Sequence, residues 1–445
     1  MKDFTQGHIT KNIFFFAVPM ILGNVFMQLY QFADTVIVGR FLGKEALAAV
    51  GACTPVVFLT VALVAGIGIG ASIVISQYFG AKQFDKVRTT CDTLFIFLIV
   101  ASVITTAVGI PLSGYILKWI GLPPDVLPFA KSYLQIYFCG LILLFGYNAV
   151  AAILRGVGDS KTPLYFLIFS SVLNIGLDLL FIKSFGWGIE GAAWATVIAQ
   201  GFAFILCVIY VNRTNPVIRV RLLRQQFDKK IFMQCIKLGL PAGLQQTFVA
   251  VGMLALIGIV TGFGTDIIAA YVSVNRIDTF ASLPVMNFAA SLTTFVGQNI
   301  SVGNMDRIKQ GLRSTLFMAV GCCATINLAI IIFGRPLLSL FSTYPAVIEP
   351  GYSLLVILNS LYPVFAAMFV INGLLRGAGA SIAPMLITLL SLWLVRLPAA
   401  MILSHFFGYE GIWWSYPTGW IVGLICAGTY YFSGKWKNKA VIKSK

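Results

Sequence analysis

Two carboxylates stand where the surrounding residues offer a charge no solvation. Asp34 lies in "NVFMQLYQFADTVIVG" and Asp178 in "SSVLNIGLDLLF", both inside apolar runs. Tyr30 precedes Asp34 by four residues and Asn174 precedes Asp178 by four, so each pair shares one helical face. Thr196, in "GAAWATVIAQ", offers a hydroxyl from a third run. Acids at membrane depth are costly and mark ion pathways and proton relays. Burial disfavours the charged form, which suits such a group to take up and release a proton near neutral pH. Two carboxylates with an amide also suit a hard cation such as sodium. The plainer alternative, strongest for Asn174, Tyr30 and Thr196, is hydrogen bonding that only glues helices together.

The rest of the polar inventory supports little other chemistry. The eight cysteines form no CxxC pair, and His8 and His405 lie far apart. No disulfide framework, resident metal or cofactor is expected, and no nucleophile constellation points to an enzyme. Three charges fall at membrane depth in the second half: Arg276 and Asp278 in "SVNRIDTF", and Arg396 in "LWLVRLP". Arg276 and Asp278 are two apart and cannot share a face. Each of the three is expected to pair with another helix or to face a central cleft. Pro19 is a candidate for a kink in the first helix.

The elements that position these groups follow from composition. The chain has 445 residues, 59% hydrophobic and 10% charged, with a mean hydropathy of +0.91. That describes an all-α polytopic membrane protein. Twelve apolar runs lie near 13–38, 47–76, 90–111, 130–153, 163–183, 190–212, 232–261, 267–299, 311–333, 347–375, 382–405 and 411–433. The opening "MKDFTQGHITKNIFFFAVP" has no small-residue cleavage site, so the first run is expected to remain as an anchor. The net charge of +16 is spread over loops that alternate along the chain, including Arg213, Arg219, Arg221 and Arg224 between the sixth and seventh runs and Lys443 and Lys445 at the end. The basic loops are expected to face the cytoplasm, with both termini inside and the protein in the cell inner membrane. Such loops also suit contact with anionic lipid, and nucleic acid is not an expected partner. In this topology Asp34, Asp178 and Thr196 each lie a few residues from the outer ends of their helices, at one depth about 6–9 Å below the boundary.

A repeat runs through the chain. "LRGVG" at 154–158 recurs as "LRGAG" at 375–379, and "GIEGAAWA" at 188–195 as "GYEGIWWS" at 408–415. "QYFGAKQFD" at 77–85 faces "QNISVGNMD" at 298–306, and "AVPM" faces "GLPA", all at offsets of about 220 to 222. The expected organisation is an N-terminal lobe over 1–212, a basic cytoplasmic linker over 213–230 and a C-terminal lobe over 231–445, related by a pseudo-twofold axis along the membrane normal. The acids break this symmetry. Asp34 faces Leu256, and Asn174 and Asp178 face Val395 and Ala399. The scaffold repeats without them, which makes them functional candidates.

"AVPMILGNVFMQLYQFADTVIVGRFLG", "LRGVGDSKTP" and the six-plus-six repeat resemble the multidrug and toxic compound extrusion (MATE) family over essentially the whole chain. The resemblance implies twelve helices in two lobes that export drugs and other organic, often cationic, compounds by cation antiport. The acid of the first helix, with an Asn and an Asp four apart on the fifth, resembles the DinF-type branch, in which this cluster is associated with proton coupling. Asp34, Asn174, Asp178, Tyr30 and Thr196 match that pattern. The NorM-type branch carries acids on the seventh and tenth helices, where this chain has Gln245, Gln246, Asn359 and Asn372. The expectation is a monomeric, proton-coupled antiporter of small organic molecules. Sodium coupling at Asp34 and Asp178, and a lipid-linked saccharide flippase drawing on Arg276 and Arg396, are the alternatives.

Overall fold

In hydrocarbon a backbone must satisfy its own hydrogen bonds, so each apolar run closes into a helix. The computed structural model describes residues 2–215, 217–220 and 225–442, the side chain of Leu63 apart. All regular structure among them is helical: α1 (Ile9–Leu42), α2 (Lys44–Gly80), α3 (Phe84–Trp119), α4 (Leu127–Cys139), α5 (Leu141–Gly156), α6 (Lys161–Asp178), α7 (Gly188–Thr214), α8 (Lys229–Val260), α9 (Thr265–Ile300), α10 (Met305–Ser339), α11 (Pro345–Gly377), α12 (Ile382–Leu389), α13 (Leu397–Phe407) and α14 (Tyr409–Phe432). Arg221, Arg224, Lys443 and Lys445 lie outside the described residues.

Each of the twelve expected runs is one of these helices or a broken pair of them. Ten helical stretches are long and apolar enough to cross a membrane, and α4 with α5 makes an eleventh, bent by 52°. The twelfth rod, α14, has 24 residues and so spans about 36 Å. Glycine occupies the bend at 140 because a Cβ there would run into the side chain of Val197 on α7. The eleventh run is also interrupted, because a π-helical stretch over Leu390–Arg396 joins α12 to α13. A second π-helical stretch, Leu179–Ser184, follows α6 directly.

Contacts sort the chain into two compact units, one of Met1–Lys2 and Leu22–Gly243, the other of Asp3–Ile21 and Leu244–Lys445. Relative to a division at 1–212 and 231–445, the units exchange the opening segments of α1 and α8. Both exchange points fall just past a proline inside a helix, Pro19 in α1 and Pro241 in α8. Each exchanged segment has its packing partner in the other half of the sequence. In the first unit α8 lies backbone to backbone on α2: a Cβ on Gly66 would come within 2.7 Å of the Gly239 carbonyl oxygen. Small residues four apart permit that approach. In the second unit the start of α1 buries Ile13, Phe16 and Ala17 in a cluster with Phe288, Leu292 and Leu374. The Ser291 hydroxyl donates to the Ile13 carbonyl at 3.0 Å.

The repeat is also visible in the backbone. Gly158 and Gly379 close the two "LRGxG" segments with φ of 80° and 91°. A Cβ at Gly158 would lie 2.5 Å from the Lys2 carbonyl oxygen, and one at Gly379 would overlap that of Lys439. Only glycine meets both the backbone angle and the space. The cysteines are unpaired; five are buried, Cys322 and Cys426 are half-buried, and Cys139 is exposed.

Candidate functional site

The first unit brings Asp34, Asn174, Asp178 and Thr196 together, with Tyr30 beside them. Asp178 is the last residue of α6, where the chain passes into the π-helical stretch. That stretch ends in a turn set by the Trp187 N–H donating to the Phe181 carbonyl at 2.9 Å, with the two rings stacked at 4.6 Å. A wider turn inside a helical rod commonly marks a functional site. Asp178 is fully buried, and Asn174, one turn earlier, is 2% exposed. The Asn174 amide donates to the Thr196 hydroxyl at 3.4 Å, and that hydroxyl donates to the Ala192 carbonyl at 3.1 Å. Asn174 is thereby fixed with its carbonyl oxygen free.

Asp34 enters from α1, which packs on α6 where Gly23 meets Leu164 and Leu167. Asp34 is half-buried, and its carboxyl lies near that of Asp178, each in the other's field. One oxygen of Asp34, both of Asp178 and the Asn174 carbonyl are buried without a donor. None of the ion pairs among the described residues involves either acid. Two adjacent carboxylates with no basic partner cannot both stay ionised, so the pair must share a proton or hold a cation. The Tyr30 phenol lies in the field of both acids.

Sequence reasoning missed the aromatic side of this site. Tyr133, on α4, is buried in the field of Asp34 and of Tyr30, and Tyr137, one turn on, is in the field of Tyr30. The four-residue step in "KSYLQIYFCG" was the available signal, since it aims both phenols from one face. Gln200, one turn past Thr196 on α7, is also buried, with its carbonyl oxygen unpartnered.

The remaining candidates lie in the second unit. Pro19 is buried within a helix that continues on both sides of it. Arg276 is exposed on α9. Asp278 is half-buried and accepts the Tyr362 hydroxyl at 3.0 Å, within the field of Arg396. Arg396 lies over the Tyr416 ring, 3.2 Å from its centroid, and the Tyr416 and Tyr271 hydroxyls are 3.1 Å apart. Two of the amides at the NorM-type positions have side-chain bonds, while the carbonyl oxygens of Asn359 and Asn372 are buried without a donor. Gln245 donates to Thr388 at 2.7 Å, and Asn359 to the Leu355 carbonyl at 2.7 Å.

A helical membrane protein of two repeated units, with an unpartnered acid pair in one, has the form of a carrier. A family model described as MatE matches the chain twice, over 19–180 and 241–402, an offset of 222 residues that restates the repeat. The chain belongs to the MatE family, and it is a multi-pass membrane transporter, not an enzyme. It is 32% identical to a Bacillus subtilis protein described as "Probable multidrug resistance protein YpnP", covering 100% of this chain and 99% of that one. It is 28% identical to "Probable multidrug resistance protein NorM" of Thermotoga maritima, over 98% and 94%. A solved structure described as the outward-facing conformation of a multidrug resistance MATE family transporter matches with a TM-score of 0.91 over 98% of both chains, at 23% identity. That likeness speaks to the fold.

Proposed function

We propose that the protein is a proton-coupled antiporter that exports organic, often cationic, compounds, in the manner of the DinF-type branch. One observation carries the coupling: the half-buried Asp34 lies beside the fully buried Asp178, with no basic partner for either among the described residues. The names of the two relatives support drug-like cargo. The sequence's basic-loop pattern supports cytoplasmic termini. In the proposed cycle, a proton taken up from outside neutralises the pair and α1 repacks on α6, with Pro19 as the bending point. Cargo then leaves outward. Release of the proton to the cytoplasm restores the charge, and the next substrate binds.

Sodium is the competing ion, favoured by the four buried, unpartnered oxygens of Asp34, Asn174 and Asp178. The two readings part in proteoliposomes with separately imposed gradients. A proton gradient alone is expected to drive uptake of a fluorescent cationic dye into inside-out vesicles. Movement driven by sodium alone overturns the proton assignment. Dye movement that ignores both gradients overturns ion coupling.

A further inference from the structure

Arg396 is a cation buried in a place built to hold it. Its residue is 8% exposed, and its Nε and one Nη have no hydrogen-bond partner. None of the ion pairs among the described residues includes it. The π-helical stretch over Leu390–Arg396 aims it inward. Ser391 and Leu392 are buried, and the next buried pair, Arg396 and Leu397, comes five residues on, while Leu394 between them is 68% exposed. On α14 Gly419 makes room for it: a Cβ there would stand 3.1 Å from the Arg396 Cβ. The guanidinium lies over the Tyr416 ring, whose hydroxyl bonds Tyr271. Tyr416 packs on Trp420, which also packs on Tyr362, and Tyr362 donates to Asp278, so the acid lies in the field of Arg396 without a direct ion pair. At the repeat offset of 221, Arg396 falls on Ile175, the neighbour of Asn174.

The geometry points to Arg396 as a resident counter-cation: against Asp278 and the facing phenols it does in the second unit what an exchangeable ion does at Asp34 and Asp178 in the first. An acid at membrane depth, even a half-buried one, is stabilised by a nearby positive charge, and a side chain tethered to the fold cannot leave during a transport cycle. The second unit is thereby closed to coupling ions, and all ion exchange falls to the first. This rests on the coupling reading for the contrast, but the role of Arg396 is tested without it.

The test uses the full chain carrying Asp34→Asn and Asp178→Asn, so that the first unit contributes no carboxylate. Trp413 and Trp420 pack in the cluster around Tyr362 and Tyr416 and report on it by their emission. Purified protein is titrated with sodium at fixed pH, and with protons at fixed sodium. With Arg396 present the emission is expected to show no saturable step. Arg396→Met is expected to gain one, for sodium or for protons, and adding Asp278→Asn is expected to abolish it. Arg396→Lys, which keeps the charge, is expected to stay silent. No step with Arg396→Met, or a step that survives Asp278→Asn, overturns the inference. Should Arg396→Met alone fail to fold, recovery of a monodisperse protein by the added Asp278→Asn supports the charge pairing, and failure of both variants alike overturns it. Failure of the coupling reading would show instead in vesicle transport by the unaltered chain.

Discussion

At matched positions of the repeat the first unit carries Asp34, Asn174 and Asp178, and the second carries Leu256, Val395 and Ala399. The second unit has its own acid, Asp278, on a different helix, and sets it in the field of a buried arginine. Two copies of one scaffold thus hold membrane-depth carboxylates in opposite electrostatic states. In the first the charge has no basic partner among the described residues. In the second a guanidinium and a phenol hydroxyl attend it. An intramembrane acid left without a basic partner is the costlier one to keep, and that cost is the reason for proposing the coupling role for Asp34 and Asp178.

Removing the acids on the two sides separates these roles, and this contrast carries the largest expected effect. Asp178→Asn is expected to abolish gradient-driven efflux in vesicles, and Asp34→Asn to reduce it at least tenfold, the scale of one charge-assisted hydrogen bond. Both should fold, because each relieves a like-charge contact. Asp278→Asn is expected to do the reverse. It takes the negative charge out of the field of the buried Arg396 and weakens the acceptor of the Tyr362 hydroxyl, at a cost of about 1–2 kcal/mol. Its unfolding midpoint in detergent should fall while the ion dependence of residual transport is retained. Uncoupled transport by Asp278→Asn at unchanged stability would overturn this division of roles.

Thr196→Val tests the first unit alone. It removes the acceptor that holds Asn174 without changing side-chain volume by much. Loss of one such bond is worth about 1 kcal/mol. The concentration of coupling ion giving half-maximal transport should rise about fivefold with little change in maximal rate. An unchanged ion dependence would place Asn174 outside the site.

The architecture was legible because its signals are redundant. Hydropathy marked the runs, basic loops marked their ends, and four matched segments marked the repeat. The acid pair was legible because charge in an apolar run is conspicuous. Tyr133 and Tyr137 were not, since phenols in a membrane helix are ordinary. The approach of Tyr133 to Asp34, and of Tyr137 to Tyr30, depends on how α4 packs ahead of the bend at Gly140. The exchange of helix openings between the units was also hidden. It depends on glycine contacts such as Gly66 with Gly239, and spacing alone does not say which helix a glycine face meets. The environment of Arg396 was out of reach for a similar reason. A π-helical step of five residues changes which face is buried, and no residue in "LSLWLVR" announces it.

A scaffold substitution made twice should show no such asymmetry. Gly158→Ala and Gly379→Ala each place a Cβ at positive φ and against a carbonyl oxygen. Each is expected to cost about 1–2 kcal/mol, read as a similar drop in unfolding midpoint. Neither should alter ion dependence. Unequal penalties would show that one terminal segment, at Lys2 or at Lys439, carries more of its unit's stability than the other.

The smallest effect concerns how the two exchanged helices begin. Asp228 stands 220 residues after His8, and both cap a helix. Asp228 accepts the Lys230 N–H at 2.8 Å and the Ile231 N–H at 3.1 Å. His8 offers only its Nδ1 to the Lys11 N–H at 3.4 Å. The backbone donors, chiefly Ile231, hold the Asp228 carboxyl below its usual range, with Lys86 and Lys230 adding to the effect. A group whose folded pKa is depressed stabilises the protein above its unfolded value, near 4, and loses that contribution as pH falls through the folded value. Asp228→Ala should therefore lower the unfolding midpoint at pH 7, by the ~1 kcal/mol typical of an exposed cap. The gap to the unaltered chain should shrink as the pH is taken below about 4. His8→Ala should cost less, its single bond being long. If the two substitutions cost the same, or the Asp228 gap ignores pH, the carboxylate is not what starts α8.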